Sequence, residues 1–259
     1  MSTAAPAVRN YWPDTKCAKA FWSQHHLPTY QRLLADTAAW LDPRPGERWL
    51  DLGCGCGQLT RAVWEKSRGM VGEVVAMDCA AINARAIDLL ANQVEPQPRA
   101  GQIRFVQANF SEGLPAWDDR SFDGAVSGLA IQYAESYDEE RQAWTTEAYD
   151  RLLAEMCRVL RPGGRFVFSV NVPEPSWYTV ALTSLHGLWQ APSPRRYVKD
   201  SLRMLQYGAW LTREARTGRF HYLPSETISA RLLDAGFAQV RHRLSYARQA
   251  YLFHCQKPA

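Results

Sequence analysis

The sequence predicts an α/β fold: a doubly wound, mostly parallel sheet of seven strands, with helices on both faces and a helical cap inserted before the last helix. Three observations carry this expectation. Short apolar runs bounded by turn residues alternate with stretches of helical periodicity. One such run ends in a glycine-rich loop that leads into a helix. The alternation breaks once, from Glu174 to Tyr222, where the chain becomes aromatic, basic and helical in pattern.

Taken in order, Leu33, Leu34, Ala38 and Leu41 fall on one face of a helix spanning Leu27 to Leu41, which Pro43 and Pro45 stop. Arg48 to Leu52 reads as a short buried strand entering the glycine loop, and Glu73 to Asp78 as a second strand, followed by a helix from Ile82 to Gln93. Gln102 to Gln107 alternates as a third strand, and Phe122 to Ser127 gives a fourth. A helix from Ala148 to Leu160 presents Tyr149, Leu152, Leu153, Met156 and Val159 on its apolar side. Arg161-Pro162-Gly163-Gly164 is a strong turn before a fifth strand, Arg165 to Val170. A helix from Ser225 to Leu233 and two strand-like runs, Gln239 to Leu244 and Gln249 to Cys255, end the pattern. Strands separated by helices imply right-handed crossovers and a mostly parallel sheet. The expected organisation is an N-terminal helical lid (1–45), an α/β core (46–173), a cap (174–222) and a closing segment (223–259) that completes the core.

Composition narrows the class. A chain of 259 residues is long enough for one large core. No apolar run approaches the ~20 residues that cross a bilayer, and residues 1–9 carry no secretory pattern. Cys17, Cys54, Cys56, Cys79, Cys157 and Cys255 show no repeated CxxC spacing, so a disulfide framework and a metal site are not expected, and a reducing cytoplasm is. A formal charge of +4 without a basic stripe does not indicate nucleic-acid binding.

The loop Leu50-Asp51-Leu52-Gly53-Cys54-Gly55-Cys56-Gly57 carries the chemistry. Glycines serve where a ligand approaches the backbone or φ is positive, and the helix that follows attracts an anionic group, so a nucleotide-like ligand is expected. Gln58 stands where a dinucleotide loop would carry its last glycine, and the Gly-Lys-Ser/Thr of a phosphate loop is absent. Asp78 ends the second strand, where a carboxylate accepts from both hydroxyls of a ribose.

With these residues the chain resembles the class I S-adenosylmethionine (SAM)-dependent methyltransferases, a Rossmann-like family, and within them the type 11 group that includes ubiquinone and menaquinone methyltransferases. The resemblance spans roughly residues 46–172 and resumes over 223–256. It implies that Asp51, Gly53, Cys54, Gly55 and Gly57 wrap the methionine part of SAM, and that Asp78, with Cys79 beside it, binds the ribose. Asn109 and Phe110 fall where the family holds the adenine, with an amide replacing the usual aspartate; an alignment shifted by one residue puts Ala108 there. Ser127 and Leu129 belong to the fourth-strand motif whose carbonyls hold the SAM ammonium, and Tyr30 is expected nearby. Arg158-Val159-Leu160-Arg161-Pro162-Gly163-Gly164 and Leu232-Leu233-Asp234-Ala235-Gly236-Phe237 are similar to later family segments.

Methyl transfer is an in-line displacement in which positioning supplies most of the acceleration, with a base where the acceptor is protonated. The candidates for such a role are Tyr133, His26 and His186, with His25 and His221 as further histidines, and Tyr30 or Tyr133 as residues that orient an acceptor. The expected partner is a small-molecule acceptor, aromatic, apolar or anionic. In the cap, Arg195, Arg196, Lys199, Arg203, Arg213, Arg216 and Arg219 face only Glu174, Asp200 and Glu214, which makes peripheral membrane contact a further expectation. A SAM-binding subunit that transfers no methyl and an RNA or protein methyltransferase are the alternatives; the sequence lacks the Asn/Asp-Pro-Pro-Tyr/Phe motif of nucleic-acid amino methylation.

Overall fold

The apolar runs become strands and the periodic stretches become helices in a computed structural model that describes Trp12, Asp14, Trp22 and residues 27–184 and 194–259. Helix α1 (Pro28–Trp40) begins on a proline whose fixed φ suits a first turn. It is followed by β1 (Arg48–Leu52), α2 (Gln58–Lys66), β2 (Glu73–Asp78), α3 (Asn83–Ala91), β3 (Ile103–Gln107) and β4 (Phe122–Gly128). A small hairpin, β5 (Ser136–Asp138) and β6 (Ala143–Thr145), precedes α4 (Glu147–Val159) and β7 (Leu160–Asn171). The cap holds α5 (Trp177–Ser184) and α6 (Pro194–Arg216), and the chain closes with α7 (Ser225–Asp234), β8 (Ala238–Ser245) and β9 (Ala250–Gln256).

The main sheet has seven strands in the order β3-β2-β1-β4-β7-β9-β8. The first five pair in parallel, while β9 runs antiparallel to both β7 and β8. Side-chain alternation sorts each central strand between two faces. Leu50, Leu52, Val75 and Met77 point to the face covered by α4 and α7 through Tyr149, Leu152, Met156, Ile228 and Leu232. Trp49, Val74, Ala76 and Val126 point to the opposite face, where Leu59 and Val63 of α2 and Ile87 and Leu90 of α3 cover them. From β1 the chain winds outward to β2 and β3, then returns to β4 on the other side of β1, so strand order reverses between β1 and β4. A crevice opens there beyond the carboxyl ends of the strands.

Opposite that crevice, ion pairs fasten the strand starts. Glu73 bridges Arg48 and Arg104, tying β1, β2 and β3 together. Glu47 accepts from Arg165 at 2.5 Å and from Trp49 Nε1 at 3.0 Å.

Two elements differ from the sequence expectation. Strand β7 starts at Leu160, because that residue already pairs with Phe122 and the Pro162-Gly163-Gly164 turn is absorbed as an irregularity before Arg165 pairs with Gly124. The β5–β6 hairpin was not expected; it closes through Tyr137 and Trp144, whose ring centroids are 5.0 Å apart. In the cap, Arg219 is buried rather than solvated: it pairs with Glu135 and Glu214, and its guanidinium lies 4.8 Å from the Trp144 ring centroid. Trp189, one of the aromatic residues of the cap, lies outside the described residues.

Gly124 of β4 lies under the buried Trp49 ring, where an added Cβ would sit 2.5 Å from Trp49 Cζ2. Gly124→Ala is therefore expected to lower stability by about 1–3 kcal/mol through overpacking, read as a lower urea midpoint at unchanged slope.

Candidate active site

The glycine loop folds back over the ends of two strands because its amides need acceptors. Beyond β1, the Gly53 and Cys54 N–H groups both donate to the Met77 carbonyl, at 2.8 and 2.9 Å. Gly55 N then donates to Asp78 Oδ2 at 2.9 Å, while Ala80 N donates to Oδ1 at 2.9 Å. The Asn83 and Cys79 side chains also hydrogen-bond to this carboxylate, which lies in the crevice wall. Gly55 has φ +52°, and a Cβ built there meets nothing within 4 Å, because the residue faces the crevice. Beneath the loop, Asp51 is buried and accepts from Thr60 Oγ1 at 2.7 Å.

The crevice is open to solvent and has two chemically distinct halves. One half is walled by the loop and strand ends: Asp51, Gly53, Cys54, Gly55, Asp78 and Cys79, with Asn109, Phe110 and Leu129 further round and Tyr30 above. The other half is aromatic, formed by Trp12, Tyr133, Trp177 and Tyr246 with Leu211 and Asn171.

Most of the expected cofactor residues therefore converge, and two do not line the crevice. Ser127 is fully buried within the sheet, where its hydroxyl donates to the Leu52 carbonyl at 2.7 Å and cross-links β4 to the end of β1. Gly57 caps α2 at φ +84°, and its missing side chain makes room for Ile87 and Leu90 of α3. Asn109 lines the crevice, and its Oδ1 also accepts from Ser111 N at 3.0 Å, which leaves one lone pair for a ligand. Leu129 sits at φ +52°, held there by its N–H donating to the Ser169 carbonyl and Oγ.

Among the candidate bases, Tyr133 stands in the crevice, its hydroxyl 3.3 Å from that of Tyr222. His221 does not: it is buried behind the wall with Nε2 2.8 Å from the Ala134 carbonyl, and burial lowers its pKa, so it is a neutral packing residue. His25, His26 and His186 lie outside the described residues. Reading the sequence did not single out Trp12, Trp22, Asn83, Asn171, Leu211 or Tyr246, all of which line the crevice. Position at a strand's carboxyl end was the available signal for Asn171. Asn83 opens the helix just after Asp78, and Trp12, Trp22, Leu211 and Tyr246 are brought in from segments that carry no motif.

Electrostatics favour a cationic guest. Burial pushes the Asp51 carboxyl up to about 7, against the opposing hydrogen bonds from Thr60. Asp78 is raised in the same way, burial outweighing the Ala80 and Gly55 amides. Burial also raises the Cys54 and Cys56 thiols, keeping them protonated and poor as metal ligands or nucleophiles. Among the described residues no cluster of three or more His, Cys, Asp or Glu side chains is placed to hold a metal ion. The lining fits SAM: the Asp78 carboxylate at a strand end for a ribose, the buried Asp51 carboxylate to favour a cation, and glycines where the ligand passes the loop.

Two outcomes follow from this geometry. Asp78→Ala should weaken SAM binding by about 2 kcal/mol or more in calorimetric titration, since it removes the ribose acceptor and orphans the Gly55 amide. Asp78→Asn, which keeps one acceptor oxygen, should lose less. For Asp51 the ordinary value is 3.8 and the folded value higher, so the stability that its protonated form contributes is complete below about 3.8 and is lost as pH rises to about 7. Relative to Asp51→Asn, the ligand-free protein should lose Tm across that window. SAM affinity should rise through it, because a cation favours the ionised carboxylate.

Comparison with known proteins agrees with this geometry. A family described as a methyltransferase domain matches residues 50–168. The ubiquinone/menaquinone biosynthesis C-methyltransferase UbiE of Vibrio parahaemolyticus is 31% identical over 77% of this chain and 67% of its own length. The protein of the same name from Yersinia enterocolitica is 29% identical, over 77% of this chain and 69% of its own. An S-adenosylmethionine-dependent methyltransferase from Mesorhizobium loti shares the fold with a TM-score of 0.56 at 22% identity, covering 86% of this chain and 96% of that one. Phosphoethanolamine N-methyltransferase 2 of Haemonchus contortus, solved with S-adenosyl-L-methionine, shares it with a TM-score of 0.53 at 16% identity, over 87% of this chain and 52% of that one. The glycine loop, the ribose carboxylate and these relatives together place the chain in the class I SAM-dependent methyltransferase family, as an enzyme that uses S-adenosylmethionine as its cofactor.

Proposed function

We propose that the protein transfers the methyl group of SAM to a small, apolar aromatic acceptor bound in the aromatic half of the crevice. The observation that carries this reading is the wall itself. Trp12 and Tyr133 lie with ring centroids 4.5 Å apart, Trp177 and Tyr246 close the cavity, and Leu211 adds an aliphatic surface. Such a wall desolvates a flat apolar molecule and has little to offer a sugar or a peptide backbone. Relatives named for C-methylation in ubiquinone and menaquinone biosynthesis support an aromatic acceptor.

Bound SAM supplies an electrophilic methyl group on a sulfonium centre. The chain's own contribution is arrangement. Asp78, Asp51 and the Gly53–Gly55 backbone fix the cofactor from one side, and the aromatic wall presents the acceptor from the other while excluding water. Trp177 is itself held: its indole N–H donates to Thr212 Oγ1 at 2.8 Å, and its ring lies where a Cβ on Gly208 would stand, so α5 and α6 present it jointly. The described cysteines are free thiols, which supports the reducing cytoplasm expected from the sequence. No helix among the described residues is long and apolar enough to cross a membrane.

Incubation with methyl-labelled SAM and a panel of substituted phenols, naphthols and quinols should move label into an organic-extractable product. Label appearing only in macromolecules would sink the proposal. Trp177→Ala should cut turnover of a responsive acceptor tenfold or more, on the order of 1.4 kcal/mol, while SAM affinity changes less than about twofold. Equal losses in both would mean that the cap closes on the cofactor rather than on the acceptor.

A further inference from the structure

The aromatic half of the crevice contains a buried amide, that of Asn171, whose oxygen lacks a partner among the described residues. Asn171 is the last residue of β7, 1% exposed, and it lines the cavity. Its backbone is fixed by its N–H donating to Gln132 Oε1 at 2.6 Å, and the Gln132 carbonyl in turn accepts from His221 N at 2.9 Å. Its side-chain Nδ2 donates to the Tyr222 hydroxyl at 3.0 Å, which lies 3.3 Å from the Tyr133 hydroxyl. Its Oδ1 has no hydrogen-bond partner among the described residues.

A buried carbonyl left unsatisfied costs about 1–3 kcal/mol, and native structures keep few of them without a reason. Turning the amide over does not remove the problem, because it would leave two N–H donors facing the cavity in place of one acceptor. Nor can the group swing out to water, since both its backbone and its Nδ2 are held. Around it stand Trp12, Trp177 and Leu211, which supply area and no compensating hydrogen bond to the amide oxygen. That half of the wall carries no carboxylate, so it offers nothing that a charged amine would require.

We propose that Asn171 Oδ1 accepts a hydrogen bond from a hydroxyl on the ring of the methyl acceptor, which makes the acceptor a hydroxyl-bearing aromatic compound rather than a bare hydrocarbon or an ether. The Tyr222 hydroxyl takes up the amide nitrogen, which leaves the oxygen to meet the ligand. The inference deepens the aromatic-acceptor reading above and rests on it. It selects among aromatic molecules by whether they can donate, and a site built around a hydrogen bond discriminates strongly against an analogue that lacks it.

The test uses two probes of similar shape, 1-naphthol and 1-fluoronaphthalene, titrated into protein saturated with S-adenosylhomocysteine and followed by tryptophan fluorescence quenching or calorimetry. The wild-type protein should prefer the naphthol about tenfold. Asn171→Leu should reduce that preference to about twofold or less, Asn171→Asp should retain it, and SAM affinity should be unchanged in both. Asn171→Ala, which removes the amide without adding bulk, is the second variant should the leucine disturb folding by circular dichroism. A wild-type protein that binds both probes equally or does not bind the naphthol, or a preference that survives loss of the amide, overturns the proposal. Because the readout is probe binding and not turnover, its failure is distinguishable from that of the aromatic-acceptor reading, which the labelled-methyl assay tests separately.

Discussion

The site depends on the way two strand ends satisfy one loop. Gly53, Cys54 and Gly55 leave β1 with three successive N–H groups that would otherwise be orphaned, and β2 supplies both acceptors: the Met77 carbonyl takes two and the Asp78 carboxylate takes the third. The same carboxylate then caps the start of the next segment through Ala80 N. One side chain thus fixes the loop, caps the next segment and lies in the crevice wall. Parallel pairing of β1 with β2, in register from Arg48 and Glu73 to Leu52 and Met77, is what places Asp78 opposite Gly55. The ion pairs at the far ends of these strands serve the site indirectly, by holding that register.

Burial of two carboxylates side by side is costly, and the raised pKa of each records that cost. In the ligand-free protein the cost is met partly by Thr60 at Asp51 and by backbone amides at Asp78. A cationic cofactor offsets it directly. Two neutral thiols from the same loop, Cys54 and Cys56, add no charge to this balance.

How much of this was legible in the sequence varies with the physics of each part. The parallel strands were readable because both of their faces are buried, so Leu50, Val74, Val75 and Met77 appear as unbroken apolar runs between turn residues. The glycine loop and Asp78 were readable because the backbone geometry admits few substitutes. Ser127 was assigned through the family resemblance by its backbone; its side chain turns into the sheet, where the Leu52 carbonyl accepts from its hydroxyl. The β5–β6 hairpin was missed because three-residue strands containing Glu and Asp neighbours generate no periodic signal. Asn171 was missed because a polar residue at the end of a strand reads as solvent-facing, and only the packing of Tyr222 and Trp177 over it reveals that it is dry.

The cap joins these two levels of order. Its final turn is anchored by Arg219, for which burial opposes the charge while Glu135 and Glu214 more than restore it, leaving the pKa raised. Glu135 follows directly on the Ile131–Tyr133 turn that carries Tyr133 and on Ala134, whose carbonyl meets His221. Phe220 packs edge-on against Tyr133 at 4.9 Å, and Tyr222 contacts the same ring's hydroxyl. The segment Arg219 to Tyr222 is therefore welded to the strand-end turn by an ion pair, a histidine and two aromatic rings, and it carries that rigidity to Asn171 through a single hydrogen bond. The aromatic half of the crevice is consequently a composite of cap and core. A change in α6 that leaves the glycine loop untouched can still alter that half, so the two halves of the crevice can be reshaped independently.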